Sequence, residues 1–312
     1  MSLARAFADR VHARAPGKIN VSLDVGPRKD DGYHDLVSVF LAVSLYEDVV
    51  VSHSDGFSAR ITGDIDVAGV PVDETNLAVR AARLVVEEAG WNGGVHLDIH
   101  KRVPVAGGMG GGSADAAAAL VAVDDLLHAG LGAPRLHRLA ARLGADVPFA
   151  LHGGAAVGVG RGDELTPALT GGRFDWALVS HPQGLSTPAV YREFDRLREG
   201  DDAAACGSTA AGDTAVLQAL RAGDPRALAA AVFNGLQPAA LSLRPDLGAV
   251  LVDGVERGAL AGIVSGSGPT LAFLAGGESD ARALAASLVT AGHDARHVHG
   301  PVHGAHIVSR AG

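Results

Sequence analysis

The alternation of apolar and polar residues changes period several times along the chain, and those changes predict its elements. Residues 11–15 and 19–25 alternate as two strands, with Ala15-Pro16-Gly17-Lys18 between them, and a glycine-punctuated polar loop covers residues 26–34. Strand-like runs follow at 35–43 and 48–53, with a short β segment at 59–62. Leu77, Ala81, Leu84, Val85 and Ala89 then take helical spacing behind a capping stretch, Asp73-Glu74-Thr75-Asn76. Residues 95–105 open as a strand, because Val95, Leu97 and Ile99 alternate with His96, Asp98 and His100, and residues 115–127 are helical in composition and length. A helix at 134–143, stopped by Gly144, and a strand at 155–160 close this half.

Between residues 161 and 172 glycine, proline and polar side chains break the pattern, and the domain boundary is expected there, dividing the chain into 1–165 and 166–312. The second half predicts a strand at 176–180, helices at 187–198, 214–221 and 225–233, a mobile loop at 199–212, a helix at 247–257, and strands at 261–265 and 270–274 around Gly266-Ser267-Gly268-Pro269. A final helix is expected at 279–291. Such alternation indicates an α+β or α/β domain.

Aromatic residues make up only 4% of the chain, so the core must rest on Ala, Val and Leu. The net charge of −9 argues against a general binder of nucleic acid or anionic membrane, which needs clustered Lys and Arg, and a polyanionic ligand would need a local positive site. One cysteine, Cys206, allows no intrachain disulfide; the first residues lack the apolar segment of a secretory signal, and no run approaches the ~18 apolar residues of a membrane span. A cytoplasmic protein is expected.

Candidate chemistry centres on Pro104-Val105-Ala106-Gly107-Gly108-Met109-Gly110-Gly111-Gly112-Ser113-Ala114, which lies between a strand and an alanine-rich helix. Glycine lets such a loop reach positive φ and approach a ligand, and the helix start adds unpaired N–H donors, so an anion is the expected guest. No lysine stands between Lys101 and Ser113, so this is not the Walker arrangement. Lys18 enters an apolar strand, and Asp146 sits among apolar neighbours where a helix cap or turn is the plainer explanation. Phosphoryl transfer needs positioning, neutralised charge and a group to orient or deprotonate the attacking hydroxyl; the glycine loop, Lys18 and Asp146 would supply the three. The histidines at 293, 297, 299, 303 and 306 fit no ligand spacing, and His152-Gly153-Gly154 reads as a turn.

Pro16-Gly17-Lys18-Ile19-Asn20, the loop from Pro104 to Ala114, and Gly266-Ser267-Gly268-Pro269-Thr270 resemble, in order, the three motifs of the GHMP kinases, named for galacto-, homoserine, mevalonate and phosphomevalonate kinases. The resemblance implies a two-domain α+β fold, with an N-terminal ribosomal-protein-S5-domain-2-like domain and a C-terminal ferredoxin-like α/β domain. Asp30-Asp31-Gly32-Tyr33-His34 and Gly144-Ala145-Asp146-Val147-Pro148-Phe149 resemble members that use ATP to phosphorylate a hydroxyl on the methylerythritol part of a cytidine diphosphate conjugate, in non-mevalonate isoprenoid synthesis. It further implies Lys18 and Asp146 as the catalytic pair, Asp146 being the base, and the loop as the ATP phosphate site. Asn76, Leu77 and Lys101 fall toward adenine, Asn20 near methylerythritol, and Tyr33, His34, Thr187 and Tyr191 around the cytidine. Mg²⁺ would accompany ATP, with ligands left unassigned. The third motif would pack against the phosphate loop. Ala106 and Ala114 depart from the family's usual Gly and Ser, which leaves Ser113 as the hydroxyl of the loop. Homoserine-type or mevalonate-type kinases, or a non-catalytic nucleotide-binding regulator, are the alternatives.

Overall fold

The structure is a computed structural model that describes residues 9–162, 164–199 and 210–312. Its first half holds β1 (Arg10–Arg28), β2 (His34–Ser54), β3 (Ser58–Gly63), α1 (Leu77–Glu88), β4 (Gly94–Lys101), α2 (Gly111–Leu126), α3 (Gly132–Ala141), α4 (Val147–His152), β5 (Ala155–Gly160) and β6 (Glu164–Pro167). The second holds β7 (Phe174–Ser180), α5 (Thr187–Leu197), α6 (Ala210–Ala222), α7 (Pro225–Ala229), β8 (Phe233–Asn234), α8 (Gln237–Leu243), α9 (Asp246–Glu256), β9 (Ala261–Val264), β10 (Leu271–Leu274), α10 (Glu278–Thr290), β11 (Asp294–Gly300) and β12 (His306–Ala311).

An eight-stranded sheet runs β12-β1-β2-β4-β3, with β5 and β6 continuing from β2 and β8 beside β1. The other sheet is four-stranded and antiparallel in the order β11-β7-β10-β9. Renumbered within that domain, the order is fourth, first, third, second, the ferredoxin-like arrangement expected of it. Strand β6 still belongs to the first sheet and β12 returns to pair with β1, so the sheets do not divide at residue 165.

Two sequence expectations merge. The strands expected at 11–15 and 19–25 are one strand, and those at 35–43 and 48–53 are another. The break between them is a register shift, where Pro16 faces Tyr46 but Gly17 faces Val43. Proline lacks a ladder donor and suits such a bulge, while a Cβ on Gly17 would stand 3.1 Å from Val103. Strand β4 stops at Lys101, short of residue 105, because the Pro104 turn begins there. The glycine run is itself the first turn of α2, which therefore starts at Gly111 rather than 115. The mobile loop expected at 199–212 is corrected at its end, where α6 begins at Ala210; residues 200–209, Cys206 among them, lie outside the described residues.

The odd positions of β1 are buried from Val11 to Val25. Val11, Ala13 and Ala15 pack under α1 and α2, and Ile19 and Val21 against Phe174, Trp176 and Leu178 of the second sheet. The even positions Lys18 and Asn20 therefore fall on the opposite face of the strand. Helix α2 is buried all round from Ala114 to Leu120, its alanines allowing close approach to α1, β1 and β2. Among the described residues no helix is long and apolar enough to cross a membrane.

Candidate active site

The phosphate loop leaves β4 through a turn in which Gly107 donates its N–H to the Pro104 carbonyl at 3.3 Å. Ala106, Gly108 and Gly110 then take left-handed φ values of 53°, 76° and 71°. Gly110 occupies the cap position of α2 with no side chain to engage the helix donors, so the N–H groups of the first turn are left for an anion. A Cβ on Gly108 would come within 2.3 Å of the Ser265 carbonyl oxygen, and one on Gly107 within 2.8 Å of Thr270 Oγ1. This close approach docks the Gly266–Thr270 turn onto the loop, as the resemblance implied; Thr270 N–H also donates to the Gly107 carbonyl at 3.4 Å. Ala106, where the family often has glycine, holds a conformation that glycine adopts without strain.

Lys18 and Asp146 meet above Gly110. Lys18 Nζ lies 3.8 Å from Asp146 Oδ2 and donates to Asn20 Oδ1 at 2.8 Å. The Asn20 amide in turn donates to Ser38 Oγ at 2.7 Å, which donates to the Ser22 carbonyl, so the lysine is oriented through a chain of buried groups. Asp146 stands at the cap position of α4, but its carboxylate makes no capping bond. The capping role suggested as its plainer explanation is therefore unused, and the side chain, about a third exposed, is free to face the cleft. A Cβ on Gly110 would lie 3.6 Å from Asp146 Oδ2 and the same distance from Lys18 Cε, so the missing side chain leaves room between the pair and the loop.

The cleft is a cavity of about 640 Å³ whose walls include Lys18, Asn20, Asn76, Leu77, Lys101, the loop from Pro104 to Ser113, Asp146, Thr187 and Tyr191. Met109 and Ala114 turn their side chains into the core and do not line it. Met109 contributes through its backbone, its carbonyl accepting the Lys18 N–H at 3.0 Å. The Asn76 amide caps α1 through Ala78 N–H and donates to the Pro71 carbonyl, which fixes the wall near Leu77.

A second cavity of about 550 Å³ opens beside it, lined by Tyr33, His34, Thr187 and Tyr191 together with Arg28, Arg161 and Asp195. His34 Nδ1 donates to the Gly26 carbonyl at 3.1 Å, which leaves Nε2 toward Asp195 at 3.3 Å. Burial lowers the pKa of His34, with Asp195 opposing. The imidazole tilts 30° from the Tyr191 ring at 5.2 Å. Burial and the neighbouring Asp146 push the Tyr191 hydroxyl up to about 12. Tyr33 is half exposed, its ring under the Arg161 guanidinium at 3.8 Å. Thr187 Oγ1 meets Ser267 Oγ at 2.8 Å, joining α5 to the third motif.

Glu47, Asp115 and Asn234 are three contributors that escaped the sequence reading. Lys101 does lie on the cleft wall, but its ammonium is held by Glu47 Oε1 at 2.7 Å and Asp115 Oδ2 at 2.5 Å. Burial and the Asp115 charge push Glu47 up to about 8 against the pull of Lys101, and burial raises Asp115 as well. Burial would lower Lys101, yet its two carboxyl partners more than offset this and raise it. The third is Asn234, whose Nδ2 donates to the Val264 and Gly266 carbonyls while its Oδ1 accepts the Leu236 N–H, holding the third motif in place. The C-terminal histidines serve other ends: His297 pairs with Asp175 at 2.8 Å and His306 bonds the Gly304 carbonyl. Among the described residues no group of three or more His, Cys, Asp or Glu is arranged to hold a metal.

A two-domain fold with a glycine loop over a Lys–Asp pair defines a small-molecule phosphotransferase, and comparison with known proteins agrees. The models of the GHMP kinases N terminal domain and of GHMP kinases C terminal match residues 76–154 and 216–294. The chain belongs to the GHMP kinases, a family of ATP-dependent small-molecule kinases. Within that family, a 4-diphosphocytidyl-2-C-methyl-D-erythritol kinase of Clavibacter michiganensis subsp. michiganensis is 53% identical over 99% of this chain and 100% of its own length. A crystal structure of 4-(cytidine 5'-diphospho)-2C-methyl-D-erythritol kinase superposes with a TM-score of 0.74 at 33% identity, covering 92% of this chain and 98% of the other. The homoserine kinase from Cytophaga hutchinsonii reaches the same TM-score at 18% identity over 99% of this chain and 100% of its own, a likeness of fold alone.

Proposed function

We propose that the protein transfers the γ-phosphoryl group of ATP to the 2-hydroxyl of 4-diphosphocytidyl-2-C-methyl-D-erythritol, a cytoplasmic step of non-mevalonate isoprenoid precursor synthesis. The observation that carries this reading is the facing of Lys18 and Asp146 at 3.8 Å above Gly110, in a phosphate-loop cleft that shares part of its wall with the His34 cavity. ATP lays its phosphates on the N–H groups of the loop and its base toward Leu77 and Asn76. Asp146 accepts the proton of the attacking hydroxyl, and Lys18, oriented by Asn20, offsets charge on the phosphoryl oxygens in flight. Ser113 lines the cleft at the start of α2 and carries an oxygen donor suited to Mg²⁺. Ser113 and the phosphate oxygens would hold that ion, which neutralises the triphosphate, and the Asp146 carboxylate is left to act as the base. His34 and Tyr191 receive the cytosine by edge hydrogen bonding and by an aromatic face, with Tyr33 at the rim.

The test is ATP consumption by the purified protein with the cytidine diphosphate conjugate, homoserine or mevalonate offered separately. Turnover on the conjugate is expected; turnover on homoserine or mevalonate alone rejects the acceptor, and nucleotide binding without turnover on any of them favours a regulator. Asp146→Asn should bind ATP normally and lose turnover by orders of magnitude. Near-normal turnover in that variant would remove Asp146 as the base.

A further inference from the structure

The acceptor proposed above is dumb-bell shaped, a base and a sugar alcohol joined by a pyrophosphate, and the two cavities have the matching form. Leu36, Ala145, Arg161, Thr187 and Tyr191 line both of them and so form the neck between His34 and the Lys18–Asp146 pair. An acceptor with its base at His34 and its hydroxyl at Asp146 must pass its phosphates through this neck. Four of the five residues there carry no charge, and the fifth is an arginine. On a chain of net charge −9, local positive charge favours an anion, and Arg161 is the cation that the neck supplies. Resting on that acceptor assignment, we propose that Arg161 receives the pyrophosphate of the acceptor and makes the enzyme prefer a diphosphate-bearing substrate.

Arg161 is built to be available. It sits between Gly160 and Gly162, both at positive φ (70° and 89°), in the turn that follows β5. Its guanidinium rests on the Tyr33 ring at 3.8 Å, which fixes the plane while leaving the N–H edge free. The ion pair it makes is with Asp31 at 3.4 Å, between side chains 57% and 53% exposed. A pair so exposed is weak and yields readily to a phosphate, which the planar fork grips through two parallel N–H bonds. Arg28 and Arg192 line the outer cavity alone, and Arg28 already has Asp195 at 3.9 Å.

The experiment compares cytidine, cytidine monophosphate and cytidine diphosphate as competitive inhibitors against the acceptor at saturating ATP, in the full-length wild type, Arg161→Gln and Arg161→Lys. Wild type should prefer the diphosphate over cytidine. Arg161→Gln should reduce that preference by about 10- to 100-fold while changing the affinity for cytidine itself and the KM for ATP by less than about twofold, and Arg161→Lys should restore part of it. Equal weakening of cytidine and its diphosphate, or an unchanged preference, overturns the role of Arg161. If the wild type does not turn over the cytidine conjugate at all, the acceptor assignment falls and takes this proposal with it. Normal wild-type turnover with an unchanged preference overturns this proposal alone.

Discussion

Single-atom exchanges in the Glu47–Lys101–Asp115 cluster test whether it holds a proton at neutral pH. Fully ionised, two carboxylates and one ammonium would bury a net negative charge at side chains no more than 4% exposed, which is costly. One retained proton makes the cluster neutral. Both Glu47 oxygens already accept, from Lys101 Nζ and from Arg102 N–H at 2.8 Å, whereas Asp115 Oδ1 has no partner. Glu47→Gln therefore turns an amide N–H toward one of two donors, losing a charge-assisted bond of about 1.5–3 kcal/mol and stranding a buried donor at about 1–3 kcal/mol. The loss should be about 3–5 kcal/mol, or roughly 5–8 °C in thermal midpoint for a chain of this length. Asp115→Asn keeps the oxygen that Lys101 uses and exchanges one unpaired polar group for another, so about 1 kcal/mol or less is expected. The pH dependence has a definite sign. Glu47 is raised from 4.5 to about 8 and Asp115 is raised with it, so the folded pair shares one proton across a pH range in which the unfolded chain has given it up. The stability it contributes is complete below pH 4.5 and is lost as pH rises toward 8. Asp115→Asn removes the charge that helps raise Glu47 and should flatten this decline. Thermal unfolding of the three proteins between about pH 5 and pH 9 reads both effects. Equal losses in the two variants, or an identical pH slope in wild type and Asp115→Asn, would refute the shared proton.

Tyr191→Phe should change the acceptor KM by less than about twofold, whereas Tyr191→Ala, which removes a stacking face worth ~1–3 kcal/mol, should raise it about tenfold with the KM for ATP unmoved. Equal effects of the two substitutions in steady-state kinetics would deny the ring that role. Gly108→Ala places a Cβ against the Ser265 carbonyl at φ 76° and should lower kcat/KM for ATP by about a hundredfold or more through displacement of the loop. Ala106→Gly, at φ 53°, relieves strain instead and should keep wild-type turnover; a loss there comparable to Gly108→Ala would show that loop flexibility, not docking, governs the rate.

What the sequence revealed was chemistry carried by short contiguous motifs. Glycines at 107, 108 and 110–112 mark a loop whose backbone must turn and approach closely, and the flanking strand and helix confirm it. The cluster beneath that loop was illegible because its members come from β2, β4 and α2 and meet only through register: Asp48 pairs with His100, which sets neighbouring Glu47 beside Lys101. Taken alone, Glu47-Asp48 looks like a solvated strand end. Asn234 is hidden for the same reason, since the carbonyls it holds are 30 and 32 residues away.

The packing beneath the cleft fixes how its two sides sit. Ile19, Val21, Val39 and Leu41 of the first sheet share one buried cluster with Phe174, Trp176 and Leu178 of the second, and β12 returns the chain to β1. A large apolar interface of this kind resists hinge motion. The parts that meet at the floor of the cleft, Lys18 on β1 and the Gly266 turn after β9, are therefore fixed relative to one another by the core beneath them. Adjustment to substrate falls to what that core does not hold. These are the exposed turns that carry Tyr33 and Arg161, proposed above to meet the base and the pyrophosphate of the acceptor.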